Sequence, residues 1–260
     1  MMKPILITSM ILFFQVGNFA IDHPVGSKKF FQLNVRTGEK LGNIFSRTIS
    51  YKGDSFPEIA YRAGGTGIYT VIDNNPLRPV FQGSFRYDGH PESNSRVEVS
   101  DGGKTVSYDG KSSTNTDGSG LLFNTFIWGT PPEKIKKGDS WKTLIPQAWE
   151  LGGPGTQTIT VMEMDENNNR VTVKREGDSE GFYDNDARQV AVNRGGQTIR
   201  MNIEPGTSHW IGYTTFKNGL VESDELLVSR PITLKSDSLK FNAFQREYIL
   251  LNAMPVLSDK

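Results

Sequence analysis

Apolar side chains recur at every second position in many short runs. Residues 197–204 (QTIRMNIE) put Ile199, Met201 and Ile203 on one face and Arg200 and Asn202 on the other. A period of two is the mark of a strand with one face buried. The same alternation places Val97 with Val99 in 96–100, Ile159 with Val161 in 156–161, and Val171 with Val173 in 170–175. Between the runs stand residues that tolerate the positive φ of tight turns: SDGGK (100–104), DENNN (165–169), NRGG (193–196) and KNG (217–219). Each lies between two alternating runs, which predicts four hairpins and an antiparallel meander.

Helical spacing is scarce. PPEKIKKG (131–138) fits one helical turn after two prolines. Residues 236–254 fit a helix capped by Ser236 or Asp237 with Leu239, Phe244 and Tyr248 on one face, or a strand through Leu239, Phe241 and YILL. The β character of the remainder favours the strand. The longest polar run, DGKSSTNTDGSG (109–120), reads as a loop. The expected fold is all-β: one large curved antiparallel sheet, as a half-barrel or β-sandwich, with hairpin meanders and at most a minor helix. Long antiparallel sheets twist, and bury an apolar face by curling or folding over.

Composition narrows the partners. The 260 residues carry 29 basic and 29 acidic side chains, so no net charge draws the chain to nucleic acid. There is no cysteine, which removes disulfides, thiolate ligands, a cysteine nucleophile and a lipidated N-terminal cysteine. Residues 4–16 (PILITSMILFFQV) run without a charge behind Lys3. That length suits the core of a signal peptide and falls short of a membrane span, which needs roughly 20 residues. Residues 1–20 are therefore expected to be a signal peptide, with cleavage after Ala20, and 21–260 a single β-rich domain without a transmembrane span. The expected location is periplasmic or secreted, in a bacterium.

Each candidate site competes with a plainer reading. Gly138-Asp139-Ser140 has the form of an esterase nucleophile, but Gly-Asp-Ser recurs at 53–55 and 177–179, and none of His23, His90 and His209 has an aspartate three residues earlier. The tripeptide is expected to be a turn, with Trp141 opening an inward-facing strand. Pro205-Gly206 reads as a turn that opens a strand with Trp210 packed on one face, and Ser208 and His209 are neighbours in that strand and point to opposite faces. GKSS (110–113) lacks the leading glycine of a phosphate loop, since position 105 is Thr105. Calcium frames begin at Asp165 and Ser113. The first has Arg170 where glycine is needed, and the second has Asn124 where a carboxylate is needed. Both read as solvated turns, and no cofactor is expected.

Two stretches remain. Residues 175–188 hold Glu176, Asp178, Glu180, Asp184 and Asp186. A carboxylate pair from Glu180, Asp184 and Asp186 would serve glycoside hydrolysis, with Trp128, Trp141, Trp149 and Trp210 available to stack on sugar. Trp149, Glu150, Gly152, Gly153 and Gly155 form a glycine-dense crossing, either a sheet corner or the mouth of a ligand site.

PPEKIKKGDSWKT (131–143), with the strand pair divided by DENNNR, resembles exported bacterial β-proteins of unknown function in which a Gly-Asp-x-Trp turn opens a long sheet. Some of those folds are half-barrels similar to the periplasmic lipoprotein-carrier family, whose concave apolar face holds acyl chains. The resemblance implies a curled sheet. No acyl-binding signature accompanies it here, so the ligand does not carry over. The sequence thus predicts a non-enzymatic binding or scaffold module of the cell envelope, taking an apolar, glycan or peptide ligand and no nucleic acid. The alternative is a secreted hydrolase using the carboxylate pair.

Overall fold

The computed structural model describes residues 24–100, 105–113, 128–145, 154–180 and 189–256. The elements run β1 (Val25–Gly26), α1 (Lys28–Phe31), β2 (Lys40–Gly53), β3 (Phe56–Asp73), β4 (Val80–Tyr87), β5 (Ser93–Ser100), β6 (Thr105–Tyr108), β7 (Lys111–Ser113), β8 (Lys134–Ile135) and β9 (Ser140–Ile145). They continue with β10 (Gly155–Asp165), β11 (Arg170–Ser179), β12 (Gln189–Arg194), β13 (Gln197–Pro205), β14 (Ser208–Lys217), β15 (Leu220–Lys235) and β16 (Lys240–Met254). Fourteen strands form one sheet in the order β7-β6-β5-β4-β3-β2-β16-β15-β14-β11-β10-β9, with β13 on β15 and β12 on β13; β1 and β8 make a separate pair. Every pairing is antiparallel. The all-β expectation holds, and the strands flanking each of the four turn segments pair with each other.

The sequence misjudges some local elements. Residues 240–254 are a full strand, as favoured, but 131–138 form no helical turn; Lys134–Ile135 instead bridge to Val25–Gly26. The polar run at 109–120 begins as a hairpin: Asp109 and Gly110 have positive φ, and Lys111–Ser113 pair back onto β6. Pro205-Gly206 is a kink, not a reversal. β13 and β14 both run antiparallel to β15 along the same edge, so they act as one long strand broken at Gly206, whose N–H donates to the Pro231 carbonyl.

Curling follows from the pairing. The long strands β2, β3, β15 and β16 reach beyond their shorter neighbours at one end. There β12 returns against β3, closing the circuit β3-β2-β16-β15-β13-β12. Inside it lies a small core of Tyr51, Phe56, Val190, Val192, Met201, Ile203, Ile232 and Leu234. At the opposite end the sheet fans out over a larger core. Residues 27–38 cross that end: Gly219 N–H donates to the Phe30 carbonyl, and Gly38 N–H to the Val71 carbonyl. The crossing drives Phe30 and Val35 into the larger core.

Candidate functional site

The strand β3 carries Ala63-Gly64-Gly65-Thr66-Gly67 at its centre. The glycines leave gaps in the side-chain cover of the sheet, and the backbone of β4 lies close by. A Cβ on Gly65 would stand 2.7 Å from the Arg86 carbonyl oxygen, so glycine is required. Register then brings Ile44 opposite Thr66, Ser46 opposite Gly64 and Arg86 opposite Thr66, with Leu250 beside Ser46. The result is a groove of about 790 Å³, open to solvent, on the outer face of β16, β2, β3 and β4. Arg62, Arg86, Asp88, His90 and Asn252 line it together with Ile44, Leu250 and Tyr87. The Asp88 N–H donates to the Gly64 carbonyl and fixes the rim. Tyr87 is 42% exposed and lies stacked on Phe85 and edge-on to Phe45. Neither Arg62 nor Arg86 makes an ion pair among the described residues. Sequence reasoning missed this site. Its signal was there as three glycines within four positions of an otherwise alternating strand.

An apolar stripe adjoins the groove. Ile211 pairs with Leu227 and Leu227 with Tyr248, all three partly exposed on the outer face. The Tyr248 hydroxyl donates to Glu225 at 2.7 Å, which raises the phenol pKa above its ordinary value.

The inner face holds two buried polar groups of residues, one inside the larger core and one at its border with the smaller core. Arg175 donates two hydrogen bonds to the Asp224 carboxylate, at 2.6 and 2.7 Å, and lies over the Trp128 ring at 4.6 Å. Thr214 adds a donor to Asp224 at 2.6 Å. Glu247 meets Arg47 and, at 3.9 Å, Arg230. On the same face the hydroxyls of Ser179 and Ser208 and the amide of Gln245 are buried without a hydrogen-bond partner among the described residues. Buried polar groups in this situation are commonly bridged by internal water.

The structure sorts the sequence candidates. Gly138 has φ +90°, Lys136 N–H donates to the Asp139 carboxylate, and β9 begins at Ser140, so this Gly-Asp-Ser is a turn. Trp141 is half-buried, with its indole N–H donating to the Trp128 carbonyl. Trp128 and Trp210 are core residues. Gly177-Asp178-Ser179 does approach a histidine. Asp178 bonds the His209 ring, while Ser179, one residue on, faces the interior opposite Ser208. Strand alternation therefore keeps both serines away from that imidazole.

Asp165 accepts from Asn167 N–H, Asn168 N–H and the Asn168 side chain. The Asn168 side-chain bond, more than any other, holds the Asp165 carboxyl below its ordinary value. This is a capped turn, and Glu176, at the twelfth position counted from Asp165, lies on β11 and pairs with Lys174. Among the described residues no cluster of histidine and carboxylate side chains has metal-ligand geometry. Glu180 is exposed just beyond β11. Asp184 and Asp186 lie outside the described residues, as do Trp149, Glu150, Gly152 and Gly153. Gly155 is described: it opens β10 between Ile145 and Ser179, and a Cβ there would meet the Asp178 carbonyl at 2.3 Å. Its glycine thus serves close strand contact.

The fold and site together define an all-β protein whose single curled sheet carries an open cleft on its outer face. No protein-family model matches the chain, and a comparison with curated proteins gives no match. Among solved structures, the chain is similar to one described as lipid–protein interactions in lipovitellin, at 11% identity and a TM-score of 0.43. The alignment covers 87% of this chain and 27% of that one. A likeness of this size assigns neither family nor ligand. No helix among the described residues is long and apolar enough to cross a membrane.

Proposed function

We propose that this is a non-enzymatic binding protein of the bacterial cell envelope, exported by its N-terminal segment, and that the groove over Gly64–Gly65 takes its ligand. The groove carries the reading: a cleft of about 790 Å³ built on paired strands, with unpaired cationic groups beside apolar and aromatic ones. Ligand sites combine apolar walls with a few convergent polar groups on a rigid frame in this way. The scaffold form of the proposal has separate support in the exposed stripe of Ile211, Leu227 and Tyr248.

Native mass spectrometry of protein purified from its own host envelope tests the reading. Ser46 borders the groove, so Ser46→Trp fills it. Wild type is expected to carry a bound small molecule, and the variant to lose it. A chain mass lacking the first twenty residues would establish export. A ligand retained by Ser46→Trp, or none on the wild type, overturns the groove as the binding site.

A further inference from the structure

We propose that the groove ligand is an acidic oligosaccharide, a chain of sugars bearing carboxylates on more than one unit; this rests on the groove being the binding site. Openness argues first. A hydrocarbon chain laid in an open cleft keeps one side in water and forfeits much of the gain of burial. The lining is also rich in hydrogen-bonding groups: Arg62, Arg86, Asp88, His90, Thr66 and Asn252.

Charge argues next. Arg62 and Arg86 line the groove against one carboxylate, Asp88. Both arginines are exposed and free of ion pairs among the described residues. Guanidinium forks match carboxylates. Arg86 sits opposite Thr66, four positions along β3 from Arg62, so their backbones are separated by about 13 Å along the strand. A fatty acid has a single anionic end and meets one arginine; an oligomer with repeated acids meets both. Asp88 and the Asn252 side chain line the same groove and accept from sugar hydroxyls. An acidic peptide fits less well. Extended peptides bind mainly by pairing with a free strand edge, and β2, β3 and β4 are each paired on both sides.

Calorimetric titration with tetramers of galacturonate and mannuronate, each also as its methyl ester, tests the assignment, with dodecanoate and tetraglutamate as rivals. At least one acidic tetramer is expected to bind, about tenfold or more tighter than its ester. Arg62→Gln and Arg86→Gln are each expected to weaken it about tenfold at low salt, with a smaller loss at high salt and unchanged melting temperature. Equal binding of acid and ester, or no binding of either tetramer, overturns the assignment. Dodecanoate or tetraglutamate binding that Ser46→Trp abolishes would replace the sugar yet keep the groove. Absence of every probe, together with no co-purifying ligand, would remove both.

Discussion

Arg175 has no exposed surface, and its carboxylate partner Asp224 is 1% exposed. Removing one member of such a pair strands a charge in the interior, which costs far more than the pair contributes while intact. Asp224→Ala is expected to lower stability by about 3–5 kcal/mol in denaturant melts, with Arg175→Met/Asp224→Leu recovering most of it. Tyr248 gives a second readout at this scale. Its hydrogen bond to Glu225 exists only while the phenol is protonated, so the folded pKa is raised. The contribution is complete below the ordinary phenol value of about 10 and is lost as pH rises through the raised one. Absorbance titration at tyrosinate wavelengths should show a late-titrating phenol that Glu225→Ala moves back toward the ordinary value. Asp165 has the opposite sign: its depressed pKa supports the β10–β11 turn at neutral pH, and that support fades as pH falls below about 4.

Elements are held by two kinds of glycine, and substitution separates them. Gly110 has φ +79° with open space around it, so Gly110→Ala meets only backbone strain, about 1 kcal/mol. Gly155 is wedged between strands, and Gly155→Ala forces β10 and β11 apart; about 1–3 kcal/mol is expected, with the larger loss at this site in thermal melts. Elements were also where the sequence was most legible. Alternation and turn residues located the hairpins because both are local properties of the chain. The neighbours β2 and β16 were not legible, since pairing Ile44 with Asn252 depends on matched lengths and faces far apart in sequence. The alternation of Val171 and Val173 continues onto Arg175, a charge at an inward position, and period alone does not say that Asp224 waits there. The groove escaped because glycines inside a strand read as weakness until the neighbouring strand is known. The glycine-dense stretch at 152–155 was the more conspicuous signal, and of its glycines only the last is described.

Across the whole molecule, two apolar cores meet at Arg230 and Glu247 and share the strands β2, β3, β15 and β16. The described sheet ends on β9, β7 and β12, each hydrogen-bonded to a neighbouring strand on one side only among the described residues. β9 shows Leu144 69% exposed, a surface that invites pairing with other chains. Leu144→Lys is expected to leave the melting temperature nearly unchanged and to slow aggregation in light-scattering assays at high concentration.

The inward positions of β15 are Asp224, Leu226, Val228, Arg230, Ile232 and Leu234. They supply one member of each of two buried ion pairs and a share of each core, while β14, β13 and β16 all take their register from the same strand. Deleting one residue here would present Leu227, Ser229, Pro231 and Thr233 inward instead, across three partners at once. Insertions and deletions are therefore tolerated at hairpin tips, such as Asn193–Gly196, and disruptive anywhere along this one strand.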